Sequence, residues 1–289
     1  MRVAVLGLGL MGSAIATRLH ERGWAVVGWN RSPGPAQSLA DRGLETRDRA
    51  ADAIESAEVG LLVLSDAAAI AETLFATPMP LAGRTLIQMG TIAPDESRDL
   101  AHRAADAGAG YLEAPVLGSR PEALAGRLLV MVGGPPDLVE RCRPLLAALS
   151  ERPERIGDVG QAAALKLALN QLIAGLTASF ALSLGLVRRE GIAVEQFMTL
   201  LRGSALYAPT FDKKLDKYLT QDFGSANFSL KHLLKDLRLF HAAADKHGLD
   251  TATVGAIESA VERGLENDLG DQDYSALYQI LVPTRTPPR

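Results

Sequence analysis

The sequence has one cysteine, Cys142, among 289 residues, which excludes an intramolecular disulfide and a cysteine metal cluster; no metal site is expected. Basic blocks are missing too. With 30 Lys and Arg against 34 Asp and Glu the net charge is −4, and nucleic acid is not an expected partner, because a phosphate backbone calls for a cationic face. No apolar leader precedes the first strand-like segment, which makes the cytoplasm the expected compartment. There is no internal repeat and no low-complexity tract. Long hydrophobic runs are nearly absent as well. The exception, residues 167–187, carries no charge but is diluted by Asn170, Gln171, Thr177, Ser179, Ser183 and two glycines, so it reads as a helix buried in protein and not as a membrane span.

What is present begins at the N-terminus. Residues 3–6 form a short apolar run that enters Gly7-Leu8-Gly9-Leu10-Met11-Gly12, and residues 11–22 then carry apolar side chains at helical spacing. The glycines therefore sit at a strand-to-helix turn. Gly7 permits the tight turn, Gly9 lets the main chain approach a pyrophosphate, and Gly12 lets helix and strand pack closely. Phosphate would rest on amide hydrogens at the positive end of the helix. This is the pattern of a dinucleotide-binding turn.

Strand and helix signals alternate through the first half. Apolar strands are expected at residues 24–29, 59–64, 85–89, 111–116, 128–132 and 155–156, with Asn30 to Gly34 read as a turn before a short helix closing at 39–43. After Gly160 the strand signals stop and helical segments follow. The expectation is an α/β Rossmann-type N-terminal domain with a mostly parallel sheet over residues 1–160, followed by an all-α C-terminal domain over 161–289. Residues 284–289 read as a frayed, proline-rich tail.

Two further features bear on chemistry. The end of the second strand, where an acidic residue would bind the ribose hydroxyls of NAD, instead carries Asn30, Arg31 and Ser32; an arginine there accommodates the extra phosphate of NADP. The second feature is Lys166, the one charged residue between Leu165 and Val187, with Asn170 one turn further on the same face. Burying an ammonium is costly unless it has partners or a task, although near a helix end it can also reach solvent along its own stem. A task exists. Reduction of a carbonyl by a nicotinamide leaves negative charge on oxygen, and a lysine whose pKa is lowered by desolvation supplies the proton.

Taken together, Gly7 to Gly12, Glu113-Ala114-Pro115-Val116-Leu117-Gly118-Ser119, Gly126-Arg127-Leu128, Val132-Gly133-Gly134, Gly157-x-x-Gly160 leading to Lys166 and Asn170, and Lys235-Asp236-Leu237 resemble the β-hydroxyacid dehydrogenases along nearly the whole chain. Trp29-Asn30-Arg31, Leu64-Ser65-Asp66, Phe228-Ser229-Leu230-Lys231-His232 and Leu269-Gly270-Asp271-x-Asp273-Tyr274-Ser275 are most similar to the glyoxylate and succinic semialdehyde reductase branch, which uses NADPH. The resemblance implies that Lys166 is catalytic and Asn170 its companion amide, and that Gly118 and Ser119, beside Leu117, cradle a substrate carboxylate. It also implies that Phe228 and Asp236 lie near the substrate. Cofactor contacts are implied for Leu64, Ser65, Thr91 and Lys235 besides Gly7 to Gly12 and Asn30 to Ser32. Read from the residues alone, Leu230, Leu233, Leu234 and Leu237 form an apolar stripe that leaves Lys231 and Lys235 on a solvated face.

Two departures from the family pattern stand out: Leu117 replaces the usual serine of the carboxylate loop, and Gly90 the usual serine before Thr91. A hydrogen bond to a charged group contributes roughly 1.5–3 kcal/mol, so a substrate bulkier or less acidic than glyoxylate is expected, held partly by Ser119, Arg120 or Leu117 itself. The sequence thus predicts an NADPH-dependent reductase of small aldehyde or keto acids, with Lys166 as proton donor in a cleft to which both domains contribute. An NAD(P)-dependent 3-hydroxy acid dehydrogenase and a non-catalytic NADP-binding scaffold are the alternatives. The resemblance further implies a homodimer or homotetramer formed through the helical domain.

Overall fold

The computed structural model describes residues 1–283; the predicted tail at 284–289 lies outside the described residues. The chain divides into two compact units, Met1–Leu167 and Ala168 onward, the division falling inside one long helix. The last strand of the first unit ends at Gly157 and that helix begins at Gln161.

The strands are β1 (Arg2–Leu6), β2 (Ala25–Trp29), β3 (Glu45–Thr46), β4 (Val59–Leu62), β5 (Thr85–Gln88), β6 (Gly110–Glu113), β7 (Val116–Leu117), β8 (Leu129–Gly133) and β9 (Glu154–Gly157). Between and after them run α1 (Leu10–Glu21), α2 (Pro33–Ala40), α3 (Ala50–Glu55), α4 (Ala67–Phe75), α5 (Pro94–Asp106), α6 (Arg120–Ala125), α7 (Pro136–Ala147) and the start of α8 (Gln161–Arg189). Spatial order along the sheet is β3-β2-β1-β4-β5-β6-β8-β7, with β9 added beside β8. From β3 to β6 all pairs are parallel; β8 runs antiparallel to both β6 and β7. The chain leaves β1 first toward β3 and later toward β6. Strand order therefore reverses between β1 and β4, and such a switch point is where open α/β sheets bind ligands.

Alternation explains why both faces are covered. Val3 and Val5 join Ile15, Leu19, Leu61, Ile87 and Leu145 in one core, while Ala4 and Leu6 join Ile54, Leu62, Ile70, Leu86 and Leu100 in the other. A parallel strand buried on both sides reads as a continuous apolar run, which is why these strands are visible in the sequence.

Three expectations need correction. Residues 111–116 are not one strand: Pro115 has no N–H for a ladder, and the chain beyond it turns to pair antiparallel with β8. The proline-glycine segment read as a turn is the first turn of α2, where Pro33 at a helix start brings a suitable fixed φ and lacks only an N–H that has no partner in a first turn. The third is α6, which begins where only a substrate loop was expected and whose Glu122 folds back so that its Oε2 accepts from the amide and the hydroxyl of Ser119.

The second unit contains the rest of α8 with α9 (Val194–Arg202), α10 (Pro209–Thr220), α11 (Leu230–Lys246), α12 (Ala252–Glu266) and α13 (Leu277–Leu281). Its core holds Phe180 stacked on Phe211 at 4.5 Å, with Tyr218, Leu230, Leu233, Leu237 and Val261 around them. A buried ion pair ties α10 to the segment before α13: Lys214 Nζ is 2.7 Å from both carboxylate oxygens of Asp273. By length and composition α8 could cross a membrane, yet 44 % of its most apolar window is buried within the protein.

Candidate functional site

In the first unit the loops after β1, β2, β4 and β5 converge at the carboxyl ends of the strands. Their approach is close enough to dictate glycine. A Cβ on Gly7, whose φ is +97°, would collide with the carbonyl oxygen of Val63 after β4, and one on Gly12 would collide with the carbonyl oxygen of Gly7. Gly9 differs: a Cβ there would meet nothing within 4 Å, so its bare Cα leaves open space over the loop. Gly9 is also the N-cap of α1, which has no side-chain cap and no acidic residue in its first turn. The amides of Leu10, Met11 and Gly12 open this helix, whose positive end is thus left to an external anion. These residues fit the pyrophosphate of a dinucleotide.

Asn30, at the end of β2, braces the turn. Its Oδ1 accepts from Leu8 N at 2.8 Å, while its Nδ2 donates to Ser32 O and Ser32 Oγ at 3.0 Å. Arg31 projects outward, its side chain 83 % exposed, with one guanidinium nitrogen 3.9 Å from Glu72 on α4. Across the switch point, Leu64 is half-buried and Ser65 Oγ donates to Asp66 Oδ2 at 2.8 Å. Thr91 is half-buried two residues after Met89. The missing serine at 90 has a physical reason: a Cβ on Gly90 would stand 2.8 Å from Leu64 O and 3.1 Å from Gln88 Nε2.

Leu117 and Gly118 lead from β7 into α6, Leu117 half-buried and Gly118 exposed with φ at +133°. Ser119 is committed within the chain. Its amide and its hydroxyl both donate to Glu122 Oε2, at 2.7 and 2.5 Å. Two donors expected to face a substrate carboxylate already hold one of the protein's own.

Lys166 lies on the second turn of α8 and is 8 % exposed. The first turn of that helix is held by a side chain from the sheet. Glu113, the last residue of β6 and fully buried, accepts from Ala162 N at 2.8 Å and Ala163 N at 3.1 Å through Oε1, and from Ser97 Oγ at 2.5 Å through Oε2. Ser97 Oγ is in turn 3.0 Å from Tyr111 OH, whose ionisation is pushed far above its ordinary range chiefly by burial. A signal was available: a carboxylate ending an apolar strand must find donors inside the protein.

The second unit gathers the remaining candidates around α11. Asn170 Nδ2 donates to Asp236 Oδ2 at 2.6 Å; both residues are 3 % exposed. Lys235 Nζ lies 2.8 Å from Asp236 Oδ1 in an ion pair. Asp236 is thus buried, and Lys235, expected on a solvated face, is only 27 % exposed. Phe228 is stacked on His232 with ring centroids 6.4 Å apart and tilted against Tyr274 at 5.8 Å. His232, given no role of its own in the sequence analysis, pairs its Nδ1 with Ser229 Oγ at 2.8 Å, and its pKa is lowered by burial and then by the charges of Lys235 and Lys231. Among the described residues no group of three or more His, Cys, Asp and Glu could hold a metal ion.

Comparison with known proteins agrees with this arrangement. Residues 2–160 match the family model for the NAD binding domain of 6-phosphogluconate dehydrogenase, and residues 160–281 match the model for NAD-binding of NADP-dependent 3-hydroxyisobutyrate dehydrogenase. Glyoxylate/succinic semialdehyde reductase 1 of Arabidopsis thaliana is 28 % identical over 289 residues, covering 99 % of this chain and 100 % of its own. The uncharacterized oxidoreductase YfjR of Bacillus subtilis is 30 % identical over 288 residues, covering 97 % and 100 %. A solved 3-hydroxyisobutyrate dehydrogenase from Salmonella typhimurium shares the fold with a TM-score of 0.86, over 97 % of this chain and 99 % of that one, at 22 % identity. A glycine turn built for a dinucleotide, followed by a helical region that matches in the same order, shows that the chain belongs to the β-hydroxyacid dehydrogenase family and is an NAD(P)-dependent oxidoreductase of that type.

Proposed function

We propose that this enzyme reduces a small aldehyde or keto acid with NADPH, that Lys166 is the proton donor, and that the preferred substrate is bulkier or less acidic than glyoxylate. The observation that carries the reading is the burial of Lys166, at 8 % exposure, on a helix otherwise uncharged from Leu165 to Val187. Burial of an ammonium favours its neutral form, which brings a lysine toward the pKa that efficient proton transfer requires. When bound, the nicotinamide supplies hydride to the carbonyl carbon. Lys166 then delivers a proton to the oxygen on which negative charge gathers. Asn170 Nδ2 donates to the carboxylate of Asp236 at 2.6 Å, which fixes the orientation of the amide one turn beyond Lys166.

Support for NADPH comes from Arg31, at the end of β2 where an acid would favour NAD. Support for the substrate comes from the loop before α6. Leu117 offers no hydroxyl there, and the donors of Ser119 are bound to Glu122. The name of the Arabidopsis relative joins glyoxylate with a longer semialdehyde, and the longer class suits this loop better. The family model over residues 160–281 also favours a second reading, oxidation of a 3-hydroxy acid. We further propose assembly as a homodimer or homotetramer.

A steady-state panel tests this. Glyoxylate, succinic semialdehyde and larger aldehydes are assayed with NADPH and NADH, and 3-hydroxy acids with NADP and NAD. The expected result is NADPH-dependent turnover greatest for the longer aldehydes, with Lys166→Ala losing about 10²–10⁴-fold in kcat. Leu117→Ser is expected to raise kcat/KM for glyoxylate by at least about 10-fold. Turnover confined to 3-hydroxy acids, or an undiminished Lys166→Ala, would overturn the reading.

A further inference from the structure

We infer that Glu113 is a positioning residue for Lys166, acting through the first turn of α8; this rests on Lys166 being the proton donor. A buried carboxylate is costly unless every lone pair is used. Glu113 spends one oxygen on the amides of Ala162 and Ala163 and the other on Ser97. The two amides belong to the opening turn of the helix, whose N–H groups have no partner within it. Lys166 stands three and four residues beyond them. Those spacings place all three residues on one face of the helix, and helical side chains lean toward the N-terminus, so the stem of Lys166 lies over the turn that Glu113 grips. A negative charge at this end also complements the helix dipole.

The grip is specific to this site. The side chain of Gln161, which could have turned inward, instead accepts from Asp158 N at 2.8 Å. Space for the carboxyl group is kept by Gly133 on β8, where a Cβ would press on Glu113 at 2.7 Å from Cγ and 2.9 Å from Cδ. Ser97 comes from α5 and Glu113 from the sheet, so the start of α8 is fixed in height and rotation by two elements of the first unit. A helix displaced by about 1 Å carries its lysine with it, and misplacement on that scale costs about 10²-fold in rate.

Four variants decide the matter: Glu113→Leu, Glu113→Gln, Gly133→Ala and Lys166→Ala, each measured for kcat, KM for NADPH and thermal midpoint. Glu113→Leu is expected to lose about 30–100-fold in kcat while KM for NADPH stays within about 3-fold. Glutamine keeps an oxygen for both amides, and Ser97 can reverse to accept from its nitrogen, so Glu113→Gln is expected to recover kcat to within about 5-fold of the parent. Gly133→Ala retains the carboxylate but pushes it aside, and is expected to behave like Glu113→Leu. A cap with only a structural role would lower the thermal midpoint and leave kcat per folded molecule unchanged, which would overturn the inference. So would an unaltered kcat in Gly133→Ala or a failure of glutamine to rescue; if Glu113→Leu does not fold, those two variants alone give the answer. Undiminished turnover in Lys166→Ala defeats the role of Lys166 itself, whereas an inactive Lys166→Ala beside a fully active Glu113→Leu defeats only the positioning role.

Discussion

Arg31→Ala should separate the two nicotinamide cofactors. In the protein the Arg31 side chain is 83 % exposed, with a guanidinium nitrogen 3.9 Å from Glu72, whose side chain is 71 % exposed. An exposed pair of this kind is worth about 0–1 kcal/mol, so Glu72 does not hold Arg31 away from another anion. A hydrogen bond to a charged group contributes about 1.5–3 kcal/mol net, and loss of the arginine should weaken NADPH by roughly 5–70-fold in Kd after about 0.5 kcal/mol for the Glu72 contact is subtracted. NADH has no phosphate at that position and should change by less than about 3-fold. Because the site is open, the NADPH effect should shrink as salt rises and the Debye length falls below about 8 Å. The assay is a fluorescence titration of both reduced cofactors at two ionic strengths. Asn30→Ala serves as the control: it removes the acceptor that holds Leu8 N at 2.8 Å, so it should loosen the glycine turn and weaken both cofactors alike. Equal weakening of NADPH and NADH by Arg31→Ala would refute the reasoning, and so would no effect on either.

Two stability predictions follow from the second unit. Lys214→Met leaves the fully buried Asp273 without its ammonium and should cost about 3–5 kcal/mol in denaturant unfolding, whereas adding Asp273→Asn, which still caps Ser275, should recover part of that loss; a single-variant cost below about 1 kcal/mol would count against a buried charged pair. His241 has its pKa raised by its hydrogen bond to Glu258 against opposing desolvation, with Glu258 and Asp245 adding charge. Its contribution is therefore complete below the unfolded pKa of about 6.5 and disappears as pH rises through the folded value. His232 is lowered by burial, so its contribution is present above about 6.5 and is lost as pH falls through its folded value. Histidine titration by NMR should show the two displaced in opposite directions, and His241→Gln should lower stability near pH 6 but not near pH 9.

How much of this was legible from residues follows from how far apart the interacting groups lie. Val3 to Leu6, the glycine turn and the change at Gly160 are local patterns, and the sheet order and helical second half agree with them. Local chemistry is also ambiguous in places. Pro33-Gly34-Pro35 looks like a turn, but prolines suit a first helical turn, and Ser119 to Glu122 with Pro121 between them has the spacing of a capping box. The contacts beyond reach are long-range. Glu113 bonds amides 49 and 50 residues away, Asn170 meets Asp236 at a separation of 66, and Lys214 meets Asp273 at 59. No periodicity encodes such pairs, because hydrophobic pattern fixes which face is buried but not which polar groups meet there. It does fix where they must be sought. Glu113 ends an apolar strand, Asp236 interrupts a leucine stripe and Lys166 interrupts an uncharged helix, and in each case the cost of an unpartnered charge requires a donor or acceptor from a distant segment. A polar residue at an apolar position is thus the sequence-level trace of a long-range bond, and these three lie on or beside the helix that carries the proposed proton donor.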